Sequence, residues 1–481
     1  MFLRSAGPVG PGKAEEIAMR RPAVFLLTFL LLAWAAPARA ALPWTGLPGR
    51  PVYDVVRTET QLCNQLRCNG LRTGQVAFSG PTAGSEDICV MNEKPAVAPF
   101  FLYDGSNYLT ALSTRGELWQ FSHRLQLRNR FLNARFPASH ALALPEGRYF
   151  LVSHTEHSVR LSSGSILWRA VYGKPSFWNP PLLVSDRLVI LHGNVKTPLL
   201  HANVRVGDRA GAVLRAVSPL NGKTINELPL PGQYSQRRYL PMAVLHSQTV
   251  VVPDAAGGLH AYAVADLTAG KTRRLWTMQA GRGTPLSLVG DPAAARVIAA
   301  YAPTKAGGNL VAVDLKTGRK VWTQTDAELA TSLAVYRNMV VYGTRQGAVV
   351  AIDVATGATL LRVTPSTNLT PDRELAVMAI SEPVVDTLGR VYITLGEVPR
   401  LHVRDFADDP VRPGTALVKL ADSINAEVVG IQLSSKRVVY TSSLFQIDHA
   451  GSAQLLVGMD AVGMFTSDNR LEFCTPEEEG E

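Results

Sequence analysis

One short segment recurs along this chain, and its recurrence limits the possible folds more than any other feature. The clearest copy runs from Ala312 to Trp322 and reads AVDLKTGRKVW. Its first strand ends at Asp314, and a turn follows through Thr317 and Gly318. Gly318 can adopt the positive φ that tight turns require, and Asp314 can accept hydrogen bonds from the turn's own backbone. Trp322 offers a large flat surface for packing against a neighbouring unit. A single copy would predict only a β-hairpin.

Further copies of this segment occur at intervals of 37 to 58 residues. The second copy keeps Ala351, Asp353, Thr356 and Gly357, with Leu361 in the position of the tryptophan. Partial copies turn at Gly116, Gly164, Gly222 and Gly270, and weaker candidates turn at Gly414 and Gly451. A period in the forties with four short strands per unit is typical of β-propeller blades, whereas an α-solenoid would need apolar residues at helical spacing. We therefore predict an all-β chain folded as a β-propeller of eight blades, each of four antiparallel strands. The blade count is left open by one, and a large β-sandwich is the alternative.

The two ends of the repeat region carry fragments that lack partners. Residues 71–78 resemble a turn and an outer strand, and residues 461–473 resemble strands without a complete sheet. A propeller has to close its ring, because an open ring would expose sheet edges. We expect the N- and C-terminal strands to pair, either in an extra mixed blade or in the eighth one.

The chain has four cysteines: Cys63, Cys68, Cys89 and Cys474. An even count in an exported chain suggests disulfides, and four cysteines allow three connectivities. If the termini share a blade, Cys474 is expected near Cys63 or Cys68. The alternative is a local Cys63–Cys68 bridge, with Cys89 joined to Cys474. Either arrangement ties the two ends of the chain together.

The N-terminal sequence predicts export. Met19-Arg-Arg-Pro precedes an apolar core at residues 23–36, and Ala-Arg-Ala40 supplies a cleavage site. This pattern is typical of a Sec signal peptide, and its core is short for a transmembrane span. We assign residues 1–40 to an upstream segment and signal peptide, 41–62 to a linker, 63–474 to the propeller and 475–481 to an acidic tail. We expect a periplasmic or secreted monomer without a membrane anchor.

Charge and loops bear on the class of partner. Without residues 1–40 the chain has 43 basic and 37 acidic residues, a net charge of +6. The basic residues are dispersed and not interleaved with aromatic residues, which argues against a nucleic-acid groove. Two inserts, at residues 193–211 and 404–414, interrupt the predicted third and seventh blades. Loops on a rigid scaffold often carry binding specificity, although these could equally be neutral insertions.

The segment from Ala312 to Trp322 resembles the tryptophan-docking motif (A-x-D-x-x-T-G-x-x-x-W) of the pyrroloquinoline-quinone-type propeller repeats. All five motif positions match here, and Asp353, Thr356 and Gly357 match in the next copy. The resemblance implies that these residues dock one blade on the next. The superfamily contains quinone-dependent alcohol dehydrogenases, and also non-catalytic members such as a propeller of the outer-membrane assembly machine.

The residues favour a non-catalytic member over an enzyme. The dehydrogenases of the superfamily place their quinone over a bonded pair of adjacent cysteines, and this chain has no adjacent cysteines. Trp178 and Asn179 could supply a stacking ring and a Ca²⁺-ligating amide, but an aromatic residue packed against Pro180 and Pro181 is the simpler interpretation. The chain also lacks the Gly-x-Ser-x-Gly and His-Glu-x-x-His motifs. We predict an exported scaffold that binds a protein or ligand in the cell envelope and needs no cofactor. The alternative is a dehydrogenase that uses pyrroloquinoline quinone and Ca²⁺.

Overall fold

Short runs of β-branched and aliphatic residues, separated by turns, form nearly all of the regular structure. The computed structural model describes residues 74–76, 79–81, 87–92, 100–103, 109–112, 118–121, 127–131 and 140–476, the last range without 145, 162, 173–175, 196–210, 235–242, 283–284, 292, 305–306, 400–417, 451–454, 459 and 466–470. In this part of the chain the strands form eight antiparallel sheets, here called blades 1 to 8. The fold class is the predicted one, an all-β propeller. The predicted signal peptide, the linker, Cys63 and Cys68 lie outside the described residues, as do residues 477–481 of the acidic tail.

The first strand among the described residues, β1 (Asp87–Asn92), belongs to the last blade. Blade 1 consists of β2 (Phe100–Tyr103), β3 (Leu109–Leu112), β4 (Leu118–Phe121) and β5 (Leu127–Phe131). The turn at Gly116 therefore joins the second and third strands of its sheet. In blade 5, by contrast, the turn at Gly318 joins the third and fourth strands.

Blades 2 to 6 follow one another along the chain, and each consists of consecutive strands. Blade 2 contains β6 (His140–Leu144), β7 (Arg148–Val152), β8 (Glu156–Leu161) and β9 (Ile166–Val171). Blade 3 contains β10 (Phe177–Trp178), β11 (Leu182–Ser185), β12 (Leu188–Val195), β13 (Gly211–Val217) and β14 (Thr224–Leu230). Blade 4 contains β15 (Val244–His246), β16 (Thr249–Pro253), β17 (Gly258–Ala263), the short helix α1 (Val264–Thr268) and β18 (Trp276–Gln279). Blade 5 contains β19 (Pro285–Asp291), β20 (Arg296–Thr304), β21 (Gly307–Asp314) and β22 (Lys320–Ala327). Blade 6 contains β23 (Ala334–Tyr336), β24 (Met339–Gly343), β25 (Val349–Asp353) and β26 (Thr359–Val363).

Blade 7 is larger than the others and corrects the sequence-based boundaries. It contains β27 (Leu375–Ala379), β28 (Val384–Val385), β29 (Arg390–Pro399), β30 (Val418–Gln432), β31 (Arg437–Thr441) and β32 (Phe445–Ala450). The repeat pattern divided this region into two blades, with turns at Gly414 and Gly451. That division was wrong, because β30 runs without a break across the expected boundary and pairs with β29, β31 and β32.

Blade 8 joins the two ends of the repeat region. It contains β33 (Leu456–Gly458), β34 (Ala461–Phe465) and β35 (Leu471–Pro476), with β1 as its outer strand. Pairing of N- and C-terminal strands was predicted, but residues 71–78 were expected to supply the N-terminal strand. In the structure Gln75 instead forms an isolated parallel bridge with Val385 of blade 7.

The core lies between neighbouring blades rather than inside any one of them. One buried cluster combines Ile298 and Leu310 of blade 5 with Val340 and Ile352 of blade 6. Similar clusters join blade 2 to 3, 3 to 4, 4 to 5 and 6 to 7. Blades 3 to 6 thus bury both faces against their neighbours, which suits the continuous β-branched runs of their inner strands.

The ends of the strands form two edges on each blade. The docking-turn edge contains the connections from first to second strand and from third to fourth strand, for example residues 186–187 and 315–319. The insert edge contains the connections from second to third strand and from one blade to the next, for example residues 254–257 and 328–333. In a propeller, corresponding edges of all blades lie on the same face.

Candidate functional site

The turn at Asp314 closes on itself through its own side chains. The carboxylate of Asp314 accepts hydrogen bonds from the backbone N–H of Thr317 at 2.7 Å and from its hydroxyl at 2.6 Å. Gly318 has φ +67 and donates its N–H to the Asp314 carbonyl at 2.9 Å. The bonds from Thr317 lower the pKa of the Asp314 carboxyl. Asp353, Thr356 and Gly357 repeat these contacts at 2.8 to 2.9 Å.

Each complete turn receives a tryptophan from the preceding blade. The indole Nε1 of Trp322 in blade 5 donates to the carbonyl of Val354 in blade 6 at 2.7 Å. A Cβ built at Gly357 would lie 2.8 Å from Cδ2 of the same indole. Trp276 of blade 4 donates in the same way to the Leu315 carbonyl in blade 5 at 2.6 Å. The motif residues therefore lie at the contact between consecutive blades.

Two further blades use the same contact with altered residues. Trp168 of blade 2 donates to the Pro219 carbonyl at 2.9 Å and lies against Gly222. In blade 3 the tryptophan position is occupied by Asn226, whose amide donates to the Lys271 carbonyl at 2.7 Å. The sequence pattern missed Asn226, because an amide replaces the aromatic residue. Its position opposite Ala216, like Trp322 opposite Ala312, is the signal that could have identified it.

The structure places Trp178 and Asn179 in a buried environment. Trp178 is 1 % exposed, and the Arg215 guanidinium lies over its ring at 5.0 Å. Tyr172 lies beside the same ring, at a centroid distance of 5.7 Å. The amide of Asn179 faces the imidazole of His192, with Asn179 Nδ2 and His192 Nδ1 3.2 Å apart. These residues do not fit a quinone site, because protein groups already cover the indole on which a quinone would stack.

The surroundings of Trp178 form a polar contact between blades 2 and 3. Arg215 donates from Nε and Nη2 to Glu227 at 2.7 and 2.6 Å. His157 shares a hydrogen bond with the Tyr172 hydroxyl at 2.8 Å. Burial is the main factor that lowers the pKa of His157 to about 4, and it raises the pKa of Tyr172. The imidazole is therefore neutral at physiological pH.

The insert edge carries both long insertions found in the sequence. The first connects β12 to β13 and the second connects β29 to β30, so both join a second strand to a third strand. At the second position the blade itself extends, since β27 pairs with the end of β29 and β32 pairs with the start of β30. The connection itself, residues 400–417, lies outside the described residues.

Two buried carboxylates hold a loop against this extension. Both oxygens of Glu427 accept the N–H of Asn368, at 3.1 and 3.2 Å. Glu397 accepts the N–H of Thr370 at 2.7 Å and an amide N–H of Asn425 at 2.7 Å. Burial is the main factor that raises the pKa of Glu427, the N–H of Asn368 opposes it, and the Glu397 charge adds to it. Loop 366–370 is thus fixed to the insert edge.

The strand register of blade 8 shows how one pair of cysteines is placed. In blade 8 the Cα atoms of Cys89 and Cys474 are directly opposite each other on β1 and β35. Directly opposed residues of antiparallel strands have Cα separations of ~4.5 to 5.5 Å, which a disulfide can bridge. This arrangement favours the alternative pairing over one between Cys474 and Cys63 or Cys68.

Among the described residues, no three His, Cys, Asp or Glu side chains form a group able to hold a metal ion. The same residues contain no helix that is long and apolar enough to span a membrane.

Comparisons with known proteins identify relatives of the fold. The family model described as outer membrane protein assembly factor BamB matches residues 105–386. No curated protein matches the chain. The crystal structure of BamB from Moraxella catarrhalis is 15 % identical with a TM-score of 0.50, and the match covers 82 % of this chain and 100 % of that one.

Two other solved structures match over similar lengths. The computationally designed Ika8 protein is 12 % identical with a TM-score of 0.49, covering 81 % of this chain and 99 % of its own. The Pan2 WD40 domain of Neurospora crassa is 10 % identical with a TM-score of 0.45, covering 83 % and 99 %.

Proposed function

Because the chain belongs to the family of the outer membrane protein assembly factor BamB, we propose that it is an exported, non-catalytic scaffold that binds a protein partner in the cell envelope. The family description, an assembly factor for outer membrane proteins, supports a partner of that class. The predicted signal peptide supports export.

The observation that carries the proposal is the shared position of the two long insertions. Both connect strand ends at the insert edge, so in a propeller their attachment points lie on one face. Blades joined by buried clusters give that face a rigid base, and loops on rigid β scaffolds are common sites of recognition. We propose that the partner binds across this face.

The proposal includes no catalytic cofactor. Trp178 was the best candidate for stacking a quinone, and its ring lies under Arg215 and beside Tyr172. A dehydrogenase would need a different stacking residue and a cysteine arrangement that this chain does not contain.

Site-specific crosslinking in the envelope tests the proposal. A photoreactive residue at Arg373, which is exposed at the insert edge, should crosslink to a discrete protein partner. The matched control is the same residue at Lys320, which is exposed at the docking-turn edge and should not yield that product. Replacing residues 400–417 by a short Gly/Ser linker should abolish the Arg373 product without lowering the melting temperature. Crosslinks confined to Lys320, or a protein that stays in the cytoplasm, would contradict the proposal.

A further inference from the structure

The docking-turn edge exposes large apolar side chains in every blade from 2 to 7. They lie in its turns or at the first residues of the outer strands, and each is 41 to 54 % exposed. They are Ile166, Leu167, Leu220, Leu275, Val321, Leu360 and Leu388. Among the described residues, the insert-edge end of the blades exposes only Val171 and Leu444 in this class. The apolar exposure is therefore concentrated on one face.

Basic side chains are exposed at the same edge. Blade 3 contributes Arg187 and Lys223, blade 6 contributes Arg337, and blade 7 contributes Lys436 and Arg437. All five lie in turns of the docking-turn edge or at the strand end beside them.

Blades 4 and 5 carry the highest density of these charges. The connection after α1 exposes Lys271, Arg273 and Arg274, and the turn before β22 exposes Lys316, Arg319 and Lys320. The carboxylate of Asp266 lies 3.6 Å from Lys271 and 3.4 Å from Arg273, but these two basic side chains remain 66 and 74 % exposed. Their charges stay accessible from outside.

Acidic groups on this edge are few, and several are already engaged. Glu146, Asp186 and Asp460 are the exposed ones in the part of the chain that the structure describes. Asp314 and Asp353 direct their carboxylates into their own turns. The described residues of this edge therefore carry an excess of positive charge.

The opposite edge has a different balance. Arg282, Arg362 and Arg373 are exposed there, and Arg362 is paired with Glu328 at 2.7 Å. Asp372 and Glu374 are exposed beside Arg373. Among the described residues, the basic excess is therefore larger at the docking-turn edge than at the insert edge.

We propose that the docking-turn face is a peripheral membrane-binding surface that takes the anionic headgroups of a phospholipid bilayer. Lysine and arginine attract an anionic leaflet, and interspersed Leu and Val side chains can enter the boundary between headgroups and acyl chains. A nucleic acid would neutralise the basic side chains but leave the exposed apolar side chains of this edge in water. A membrane therefore accounts for both the basic and the apolar side chains of this face. In this orientation the insert edge faces away from the bilayer, where a partner can reach it.

Cosedimentation with vesicles tests this surface, independently of any protein partner. The mature chain should bind vesicles of phosphatidylethanolamine with ~30 % phosphatidylglycerol and not vesicles of phosphatidylcholine. The double variant K316E/K320E should reduce the bound fraction about tenfold or more, since each basic residue near an anionic surface is worth about a fivefold change in binding. K436E/R437E should act similarly from blade 7.

The matched control is R282E/R373E, which changes the net charge equally at the insert edge and should leave binding within about twofold. The variant L220S/L360S should keep the initial attraction but make binding fully reversible when salt rises from about 0.05 to 0.5 M. Absence of anion-dependent binding, equal losses in the control, or displacement from vesicles by RNA with tighter RNA binding would each overturn the proposal.

Discussion

The indole nitrogen of Trp322 and the main-chain oxygen of Val354 lie 2.7 Å apart and connect blade 5 to blade 6. The same oxygen also accepts Nη1 of Arg296 at 2.7 Å. Trp276 donates to the Leu315 oxygen one blade earlier, and within the described part of the chain that oxygen accepts no second donor. The two tryptophans therefore occupy equivalent positions, but only the carbonyl that accepts from Trp322 has a second hydrogen-bond donor.

This difference predicts unequal costs for removing the indole N–H. Trp322→Phe should lower the free energy of unfolding by about 1 kcal/mol, because Arg296 still satisfies the Val354 oxygen. Trp276→Phe should cost about 2 kcal/mol or more, because the Leu315 carbonyl loses its donor. Urea denaturation followed by circular dichroism measures both. Equal losses would show that the Arg296 contact does not compensate.

The glycine at the turn can be tested against a matched glycine. Gly318 and Gly147 have φ +67 and +65, but a Cβ at Gly318 would lie 2.7 Å from the Trp276 indole, whereas Gly147 has no atom within 4 Å. Gly147→Ala should lower the free energy of unfolding by about 1 kcal/mol, from backbone strain alone. Gly318→Ala should cost about 1 to 3 kcal/mol more, because the indole has to move. Equal melting temperatures for the two variants would show that the Trp276 indole can move away from residue 318 at little cost.

The buried imidazole of His157 predicts a pH dependence of stability. Its pKa in the folded protein is about 4, below the ordinary value of 6.5. As pH falls from 6.5 to 4, the unfolded chain takes up a proton that the folded protein does not, so this group lowers the free energy of unfolding by up to about 3 kcal/mol. His157→Gln should remove that part of the slope between pH 4 and 6.5. Parallel profiles for the two proteins would contradict the assignment.

The buried pair Asp386–Arg390 holds the N-terminal segment on blade 7. Asp386 accepts Nε of Arg390 at 2.6 Å and the N–H of Gly80 at 3.1 Å, and Arg390 donates to the Gly80 carbonyl at 2.8 Å. Tyr392 donates to the next carbonyl, that of Pro81, at 2.8 Å. Asp386→Asn leaves a buried guanidinium without its counter-charge, so it should lower the free energy of unfolding by about 3 to 5 kcal/mol.

Hydrogen exchange distinguishes this attachment from general destabilisation. In Asp386→Asn the amides of Val76 and Gly80 should exchange faster than those of blade 5. The control Asp372→Asn alters an exposed carboxylate that accepts only local N–H groups, at 2.8 and 3.0 Å, and should leave Gly80 protected. A uniform change across all blades would show that the pair does not act on the N-terminal segment specifically.

The sequence was most informative where contacts are local. A strand, a turn and the next strand specify the unit around Gly318, so blades 2 to 6 could be predicted. Blade 7 could not, because β29 and β30 extend beyond the repeat and the pattern read that extension as a boundary. Asn226 was missed because a hydrogen bond from an amide leaves no aromatic signature. The basic docking-turn face could not be predicted either. Residues such as Lys223 and Lys436 are far apart in the chain and come to one edge only in the folded propeller.

The closure of blade 8 predicts a disulfide between Cys89 and Cys474. Their Cα atoms are opposed in the register of β1 and β35, and the bond would close a loop of about 385 residues. In the chain-entropy model such a loop stabilises the folded state by up to about 5 kcal/mol. Peptide mapping without reductant, on the mature chain from an oxidising compartment, should recover these two cysteines in one linked peptide.

Serine variants complete the test of this bond. Cys89→Ser, Cys474→Ser and the double variant should lose the same stability, because each removes one and the same crosslink. Reductant should lower the melting temperature of the parent protein to that of the double variant and leave the double variant unchanged. A linked peptide that joins Cys474 to Cys63 or Cys68 would contradict the pairing, and it would mean that a strand other than β1 carries the crosslink between the ends of the chain.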